Sequence, residues 1–416
     1  MKTIELHVIQ NMSPSCLNRD ENNIPKSSIF GGMNRARVSS QCWKRAARFH
    51  PFFVDYCKSI DMPLSSRTWR TAKRFYDVLI SKKYNYSEEH AKKLAICIVM
   101  AFTDIKDTKT KITNLKEEEV RKIVKLLDEL KNRNIDDILT NTALFVSDSE
   151  IEKIVSHVLD AISSEYDLVN DLNKENKLGP IFKSGGNSLK SYEFEAPSLD
   201  VAFNGRMFAS SKVKNMNVDA ATQWAQIIST NAIEQELDYF SALDDLKPDE
   251  QPGADMIGEI GFNSPCFYRY MNINLDIMEE HYGEVLGDEA PEFIKNASIA
   301  YLNAAIKSIP EAKQNSMAAH NIPSMVFIVV RDGGCPVSLA NAFVMPVQAN
   351  NDKNLIQKSI EALDDYWGRA IPMDGAEGVV KQVIIEIENS DLKNLDSSRA
   401  KDLKDVFKQV KSAIPL

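Results

Sequence analysis

The chain has 416 residues, of which 44% are hydrophobic and 26% are charged, proportions that exclude a largely disordered polypeptide. Its 50 lysines and arginines stand against 59 aspartates and glutamates, so the formal net charge is −9. This acidic balance argues against a uniformly basic nucleic-acid-binding protein, but it does not say where the charges lie. The length suits two or three domain-sized units, or one domain with large insertions.

The sequence also limits where in the cell the protein is expected and which cofactors it is expected to hold. The sequence begins MKTIELHVIQ, without the apolar core of a secretory signal, and it holds no apolar run long enough to span a membrane. The six cysteines are scattered and form no CxxC pair, the short spacing on which zinc sites depend. We therefore expect a cytoplasmic protein with free thiols, no metal, no other cofactor and no membrane contact.

The first sixty residues predict a strand, a loop and a helix. Ile4, Leu6 and Val8 alternate with polar residues, which is the pattern of a half-buried strand. A loop rich in Ser, Asn, Pro and Gly follows, from Asn11 to about Val38. Ser39 is a good N-cap, and we expect the helix that it begins to continue through QCWKRAARF.

A charge-rich helical region follows, over residues 60–200. Apolar residues there recur with the spacing i, i+3, i+4, i+7, first at 120, 123, 124, 127 and 130 and again at 151, 154, 155, 158, 159 and 162. This spacing predicts amphipathic helices. The Gly- and Ser-containing stretch 183–198 predicts a loop that closes the region.

The remaining chain alternates strands and helices. We expect a strand at 199–208, an excursion of about fifty residues, and then a strand at 267–275, a helix near 291–308, a strand at 325–330, a helix near 354–366, a strand at 379–387 and a C-terminal helix. This order predicts an α+β fold. Its core would be a split βαβ, ferredoxin-like unit that carries two large insertions.

The segment most informative about function is 13–75. It holds twelve basic residues against four acidic ones, a formal charge of +8. On the predicted helix the polar residues Gln41, Lys44, Arg45 and Arg48 recur at i, i+3, i+4 and i+7, so they share one face. Such a face offers donors to successive phosphates, beside the positive end of a helix dipole. The alternative is an ordinary solvated face that forms surface ion pairs.

Three further features bear on function. The IFGG motif at 29–32 would let the backbone approach a ligand closely, since Gly31 and Gly32 have no side chain. Met207, Tyr239 and Phe240 lie near the ends of the second insertion, where they would wedge between bases or form the insertion's own small core. His50 would act as a general base for RNA cleavage, or it would be structural.

Six motifs resemble those of a known family: SPSCLNRD (13–20), IFGGMNRARVSSQCWKRAAR (29–48), LDVAFNGRM (199–207), LDYFSALDDL (237–246), FYRYMNINL (267–275) and LANAF (339–343). They are similar to CasC, the repeated backbone subunit of the type I-E CRISPR Cascade complex, in the Cas-seven family. The similarity runs from residue 1 to about 370 and is weakest in the helical region.

The resemblance implies a hand-shaped protein whose palm is a modified RRM, with a large helical fingers insertion and a thumb insertion. On this reading the boundaries are 1–59 for the first part of the palm, 60–198 for the fingers, 199–204 for a palm strand, 205–260 for the thumb and 261–416 for the second part of the palm. The usual aromatic motif of an RRM is absent. Recognition should therefore follow the RNA backbone rather than stack bases on the sheet.

The resemblance also assigns roles to individual residues. Those expected to contact phosphates and riboses of the guide RNA are Arg19, Lys26, Ser39, Gln41, Lys44, Arg45, Arg48 and Arg70. Those expected to displace one base at regular intervals are Met207, Tyr239, Phe240 and Ser241. Arg70 stands where the family can carry a histidine. No catalytic residue and no metal ligand is implied.

From the resemblance we expect a non-catalytic guide-RNA (crRNA)-binding subunit that polymerises along the guide and presents it to target DNA in antiviral defence. Its partners would be the crRNA, target DNA through the guide, further copies of itself and other Cascade subunits. A recruited helicase-nuclease would act on this cytoplasmic ribonucleoprotein filament. Two alternatives remain open: a guide-RNA-processing endoribonuclease, and a general single-strand RNA-binding protein.

Overall fold

The computed structural model describes residues 1–109, 120–190, 192, 196–208, 216–242, 256–373 and 375–416. They divide into a sheet unit, formed by Met1–Ser59 with Ala221–Leu416, and a helical unit, Ile60–Ala220. Among the helices of these residues, none is long and apolar enough to cross a membrane. All six cysteines are free thiols, as expected from their scattered positions.

The sheet unit is built on antiparallel strands. They are β1 (Lys2–Asn11), β2 (Ser27–Phe30), β3 (Met33–Val38), β6 (Thr222–Trp224), β7 (Ile227–Ser229), β8 (Glu236–Ala242), β9 (Met256–Phe262), β10 (Cys266–Asn274), β11 (Met325–Asp332) and β12 (Val379–Glu386). Its helices are α1 (Ser40–Arg48), α2 (Pro51–Ser59), α10 (Leu275–Leu286), α11 (Ala290–Lys307), α12 (Gln314–Met317), α13 (Leu355–Ala370) and α14 (Leu403–Ala413).

The main sheet confirms the predicted α+β class. Its strands lie in the order β12-β11-β1-β10-β7-β3-β2, and β6 also pairs with β10. The neighbours β11, β1, β10 and β7 follow the order of a ferredoxin-like core, in which the first and third core strands are central. Strands β8 and β9 form a separate two-stranded hairpin.

The predicted palm strand at 199–204 is wrong, because this segment is a helix, α9 (Leu199–Asn204). Asp200 is buried in this helix and accepts the backbone N–H of Ser65. Gly205 ends the helix with a positive φ of 76°. The second strand of the ferredoxin-like core is β7, which begins at Ile227.

Strand β1 is not half-buried, as its alternation predicted, but buried on both faces from Thr3 to Gln10. Thr3, Glu5 and His7 share a face with Ile9, which packs in one core cluster with Phe327 and with Trp367 of α13. The sheet face that is open in an RRM is therefore covered here.

The predicted loop from Asn11 to Val38 contains the β2–β3 hairpin. Gly31 and Gly32 form its two-residue turn, with φ of 59° and 79°. A Cβ on Gly31 would overlap the carbonyl oxygen of Val344, so this glycine serves close packing within the protein. The IFGG motif therefore forms a hairpin turn, and the approach of a ligand to it stays a prediction.

The helical unit comprises β4 (Ser66–Thr68), β5 (Leu144–Val146), α3 (Thr71–Ile80), α4 (Glu88–Phe102), α5 (Val120–Leu130), α6 (Asp148–Ser163), α7 (Leu168–Asp171), α8 (Glu175–Lys190) and α9. The amphipathic helices expected from the apolar spacing are present as α5 and α6. The predicted loop at 183–198 is wrong over residues 183–190, which belong to α8. Gly185 faces Ile162 and Val158 there, so a glycine taken as a loop signal permits close helix packing.

Candidate nucleic-acid interface

The orientation of α1 is fixed by its cap and its buried side. The Ser39 side chain accepts the N–H of Cys42 at 3.3 Å, which confirms the predicted N-cap. Trp43 and Ala47 are fully buried, and the Trp43 indole N–H donates to the carbonyl of Ser308 at 3.0 Å. Since one side of the helix is anchored in this way, the opposite side must face outward.

The four polar residues predicted to share a face of α1 do so. Gln41 and Arg45 are exposed, while Lys44 and Arg48 are half-buried. Burial lowers the pKa of the Lys44 ammonium, because desolvation disfavours its charged form. Both guanidiniums lie over the ring of Phe49, at 4.8 Å for Arg45 and 4.5 Å for Arg48.

The loop before β2 brings a further cation to the start of α1. Asn18 connects the loop to the helix by hydrogen bonds. Its side-chain oxygen accepts the N–H of Ser39 at 2.9 Å, and its carbonyl accepts the N–H of Lys26 at 2.9 Å. Burial raises the pKa of the Cys42 thiol, and the charges of Lys26 and Arg45 oppose that rise. Both charges therefore act on a thiol in the first turn of α1, although Arg45 itself belongs to the last turn.

Two other arginines lie beside this region. Arg19 is exposed in the same loop and donates to the side-chain oxygen of Asn23 at 3.1 Å. Arg37, on β3, donates to the Gln226 amide oxygen at 2.9 Å, and the amide nitrogen of Gln226 reaches the hydroxyl of Ser40 at 3.3 Å. The sequence counted Arg37 as basic but did not single it out. Its position on the strand that leads into the N-cap was the available signal.

Arg35 does not belong to the interface, although it contributes to the +8 of this segment. It is fully buried and donates to the carbonyls of Ser229, Thr230, Phe343 and Val344, at 2.9 to 3.1 Å. These bonds hold the two terminal nitrogens of a buried guanidinium within the protein, while its Nε has no partner in the described structure. The charge available to an external ligand is therefore smaller than the sequence count.

Two predicted site residues lie in the helical unit. Arg70 is exposed at the start of α3, where its backbone N–H donates to the side chain of Thr68. Met207 is 89% exposed, although its neighbour Arg206 is buried and paired with Glu150 at 2.8 Å. A fully exposed apolar side chain on an anchored backbone suits contact with a partner.

The β8–β9 hairpin carries the other predicted wedge residues. Tyr239 and Ser241 point to one face and Phe240 to the other, because side chains alternate along a strand. Tyr239 is 68% exposed, whereas Phe240 is 38% exposed and its ring lies over Gly258. The trio therefore does not share one surface. Parts of the predicted thumb, at 209–215 and 243–255, lie outside the described residues.

His50 has a structural setting at the end of α1. Its Nδ1 accepts the N–H of Phe52 at 3.4 Å, and its ring stacks on that of Phe52 with centroids 5.4 Å apart. Burial and the charge of Lys307 lower the pKa of His50. No carboxylate hydrogen-bonds to it within the described part of the chain. Over the same residues, no group of three His, Cys, Asp or Glu is arranged to hold a metal ion.

Comparison with known proteins gives a family and a fold. A family model described as CT1975-like protein matches residues 4–412. A chain of a solved "CRISPR RNA-guided surveillance complex, pre-nicking" is 23% identical, with a TM-score of 0.73, over 99% of this chain and 100% of that one. A chain of another "CRISPR RNA-guided surveillance complex" is 20% identical, with a TM-score of 0.56, over 99% of each chain. None of the curated proteins matches. The likeness confirms the predicted RRM-like fold class.

Proposed function

The chain belongs to the family described as CT1975-like protein, and from this premise we propose that it is a crRNA-binding backbone subunit of a CRISPR Cascade complex, equivalent to CasC of type I-E. Both structural relatives are parts of RNA-guided surveillance complexes. The observation that carries the proposal is the outward face of α1, where Lys44, Arg45 and Arg48 follow a capped helix N-terminus and the two arginines lie in the last turn.

The arrangement suits binding of the RNA backbone rather than of the bases. Cationic side chains and helix N–H groups bind phosphates whatever the base sequence. The covered face of the sheet offers no aromatic platform to the RNA, since Tyr268 and Phe327 are buried beneath α13. Bases held only through their backbone stay available for pairing with target DNA, as a guide requires.

The assembly follows from the same proposal. Further copies would bind successive stretches of one crRNA beside other Cascade subunits, and the palm, fingers and thumb would correspond to the sheet unit, the helical unit and the β8–β9 hairpin. Met207, Tyr239, Phe240 and Ser241 would displace one base at each subunit. The protein itself would be non-catalytic, and a recruited helicase-nuclease would cut the target. We place the assembly in the cytoplasm, where its free thiols stay reduced.

Removing two cations of α1 tests the RNA interface. We expect Lys44→Ala with Arg48→Ala to weaken binding of a labelled single-stranded RNA at least tenfold, and to reduce the slope of log affinity against log salt by about 1.4, since each phosphate contact on a single strand contributes about 0.7. Fluorescence anisotropy at several salt concentrations measures both. The matched control is Lys404→Ala with Lys408→Ala, two exposed lysines of α14. Unchanged affinity and slope would refute the interface.

The RNA that copurifies with the protein distinguishes the proposal from its rivals. A uniform, repeat-derived guide supports a Cascade subunit, whereas a heterogeneous mixture supports a general single-strand RNA-binding protein. Cleavage of repeat RNA that is lost in His50→Ala would instead favour the endoribonuclease.

The wedge role has a separate test. In an assembled complex we expect Tyr239→Ala with Phe240→Ala to abolish the periodic pattern of bases that are reactive towards single-strand-specific chemical probes. The control is Leu237→Ala, which removes another exposed apolar side chain of β8. A reactivity pattern that matches the unchanged protein would show that the hairpin does not displace bases.

A further inference from the structure

Phe49 has no evident packing reason for its position. It follows the last residue of α1, where its backbone N–H caps the helix by donating to the carbonyls of Ala47 and Arg45. Its side chain takes no part in that cap and remains 45% exposed. Leaving nearly half of a large aromatic side chain exposed forgoes about half of the stabilisation that its full burial would give.

What the ring does contact is charge. The guanidinium carbon of Arg45 lies 4.8 Å from the ring centroid and that of Arg48 lies 4.5 Å from it, both over the ring. Cation–π attraction is significant at such distances, and arginine is the cation that most often takes part in it. One exposed ring thus holds two of the three cations of the α1 face.

Because this inference deepens the proposed function, it rests on the guide-RNA site proposed above. We propose that Phe49 is a positioning residue, which holds the Arg45 and Arg48 guanidiniums ready to bind successive phosphates. The ring lowers the cost of binding in two ways. It offsets the mutual repulsion of two cations three residues apart on a helix, and it restrains long side chains whose rotamer entropy would otherwise be lost on binding.

The geometry suits phosphate recognition, because a guanidinium stacks through its planar face and donates hydrogen bonds in its plane. A contact between a ring and the face of a guanidinium uses none of its N–H donors, whereas a contact with a carboxylate does. The alternative role for an exposed aromatic in a basic region is to stack on a nucleobase. The ring of Phe49 already has two guanidiniums over it, which favours the positioning role.

The test uses the full chain, a fluorescein-labelled single-stranded RNA of about 12 nucleotides and fluorescence anisotropy. We expect Phe49→Leu, which keeps apolar bulk but has no π face, to weaken binding threefold to tenfold. Phe49→Trp, with the stronger π face, should stay within twofold of the unchanged protein. In a background of Arg45→Ala with Arg48→Ala, Phe49→Leu should have no further effect, since no guanidinium remains to be positioned.

Three results would overturn the inference. The Phe49→Leu protein would bind RNA as tightly as the unchanged protein, or the Phe49→Trp protein would bind RNA no more tightly than Phe49→Leu. In the third, Phe49→Leu would still weaken RNA binding in the protein that lacks both arginines. The last pattern is what a purely structural role for Phe49 would give. If Arg45→Ala with Arg48→Ala alone leaves affinity unchanged, the guide-RNA site itself fails, and the positioning role fails with it. If that pair weakens binding while Phe49→Leu does not, only the positioning role fails.

Discussion

His7 makes the stability of the sheet unit depend on pH. It is fully buried in β1, and its Nδ1 lies 2.9 Å from the hydroxyl of Tyr268, which also accepts the N–H of Leu339 at 2.9 Å. Which of the two groups donates depends on the tautomer of His7, whose ring is neutral at pH 7 because burial lowers its pKa. Its Nε2 has no hydrogen-bond partner in the described structure and lies 4.0 Å from Glu5. Burial and the charge of Arg331 lower the pKa of His7 from 6.5 to about 3.

The sign and size of the effect follow from proton binding. Between pH 6.5 and about 3, the unfolded chain binds a proton at His7 that the folded protein does not bind. The free energy of unfolding therefore decreases as the pH is lowered through this window, by about 1.4 kcal/mol for each pH unit below 6.5. Lowering the pH from 7 to 5 should remove about 2 kcal/mol through His7 alone.

Urea unfolding at pH 7, 6 and 5 measures this term, with three of the four tryptophans, Trp43, Trp224 and Trp367, reporting on the sheet unit. His7→Gln is the matched variant, because its amide keeps a hydrogen-bond acceptor for Tyr268 and does not titrate. Between pH 7 and pH 5 we expect it to lose about 2 kcal/mol less than the unchanged protein. Equal losses in the two proteins would refute the reasoning, because other titrating groups are common to both.

Three further substitutions should destabilise the sheet unit, as urea unfolding at pH 7 would show. Arg35→Met leaves four carbonyls without their donor and should cost about 3 kcal/mol, with unchanged RNA affinity in the protein that remains folded. Gly31→Ala should cost about 2 kcal/mol, since its Cβ would meet the Val344 carbonyl from a positive φ. Arg331→Met should cost about 3–5 kcal/mol by stranding buried Glu5, and adding Glu5→Gln should restore part of that loss. Losses below about 1 kcal/mol would contradict the assigned contacts.

Local signals predicted much of the secondary structure. The Ser39 cap and the spacing from Gln41 to Arg48 gave both the helix and its outward face, because these depend on neighbouring residues alone. The same reasoning failed at 199–204, where a strand was predicted and Asp200 lies in a helix. A buried carboxylate that accepts an N–H of residue 65 is a tertiary contact, and sequence periodicity carries no record of it.

The candidate site was only partly predictable for the same reason. Arg35 and Arg37 are two residues apart on β3 and equally basic in sequence, yet one is buried among carbonyls and the other reaches Gln226 beside the N-cap. Their difference lies in which face of the strand is covered, and that depends on segments almost two hundred residues away. Phe49 is an apolar residue just after the last turn of α1, and its sequence position carries no local signal of a binding role. Its role with two arginines became visible only from the ring geometry.

In this protein, the residues that stabilise the sheet and the residues proposed to bind RNA lie on different elements. In an RRM the same open strands carry the fold and the RNA contacts, so a substitution there affects both. Here α13 covers that face, and the interior holds Glu5, His7 and Arg331, while the proposed RNA contacts lie on a helix anchored by Trp43. Substitutions on the exposed face of α1 should therefore change RNA affinity at nearly constant stability. Those beneath α13 should change stability and leave the affinity of the folded protein intact.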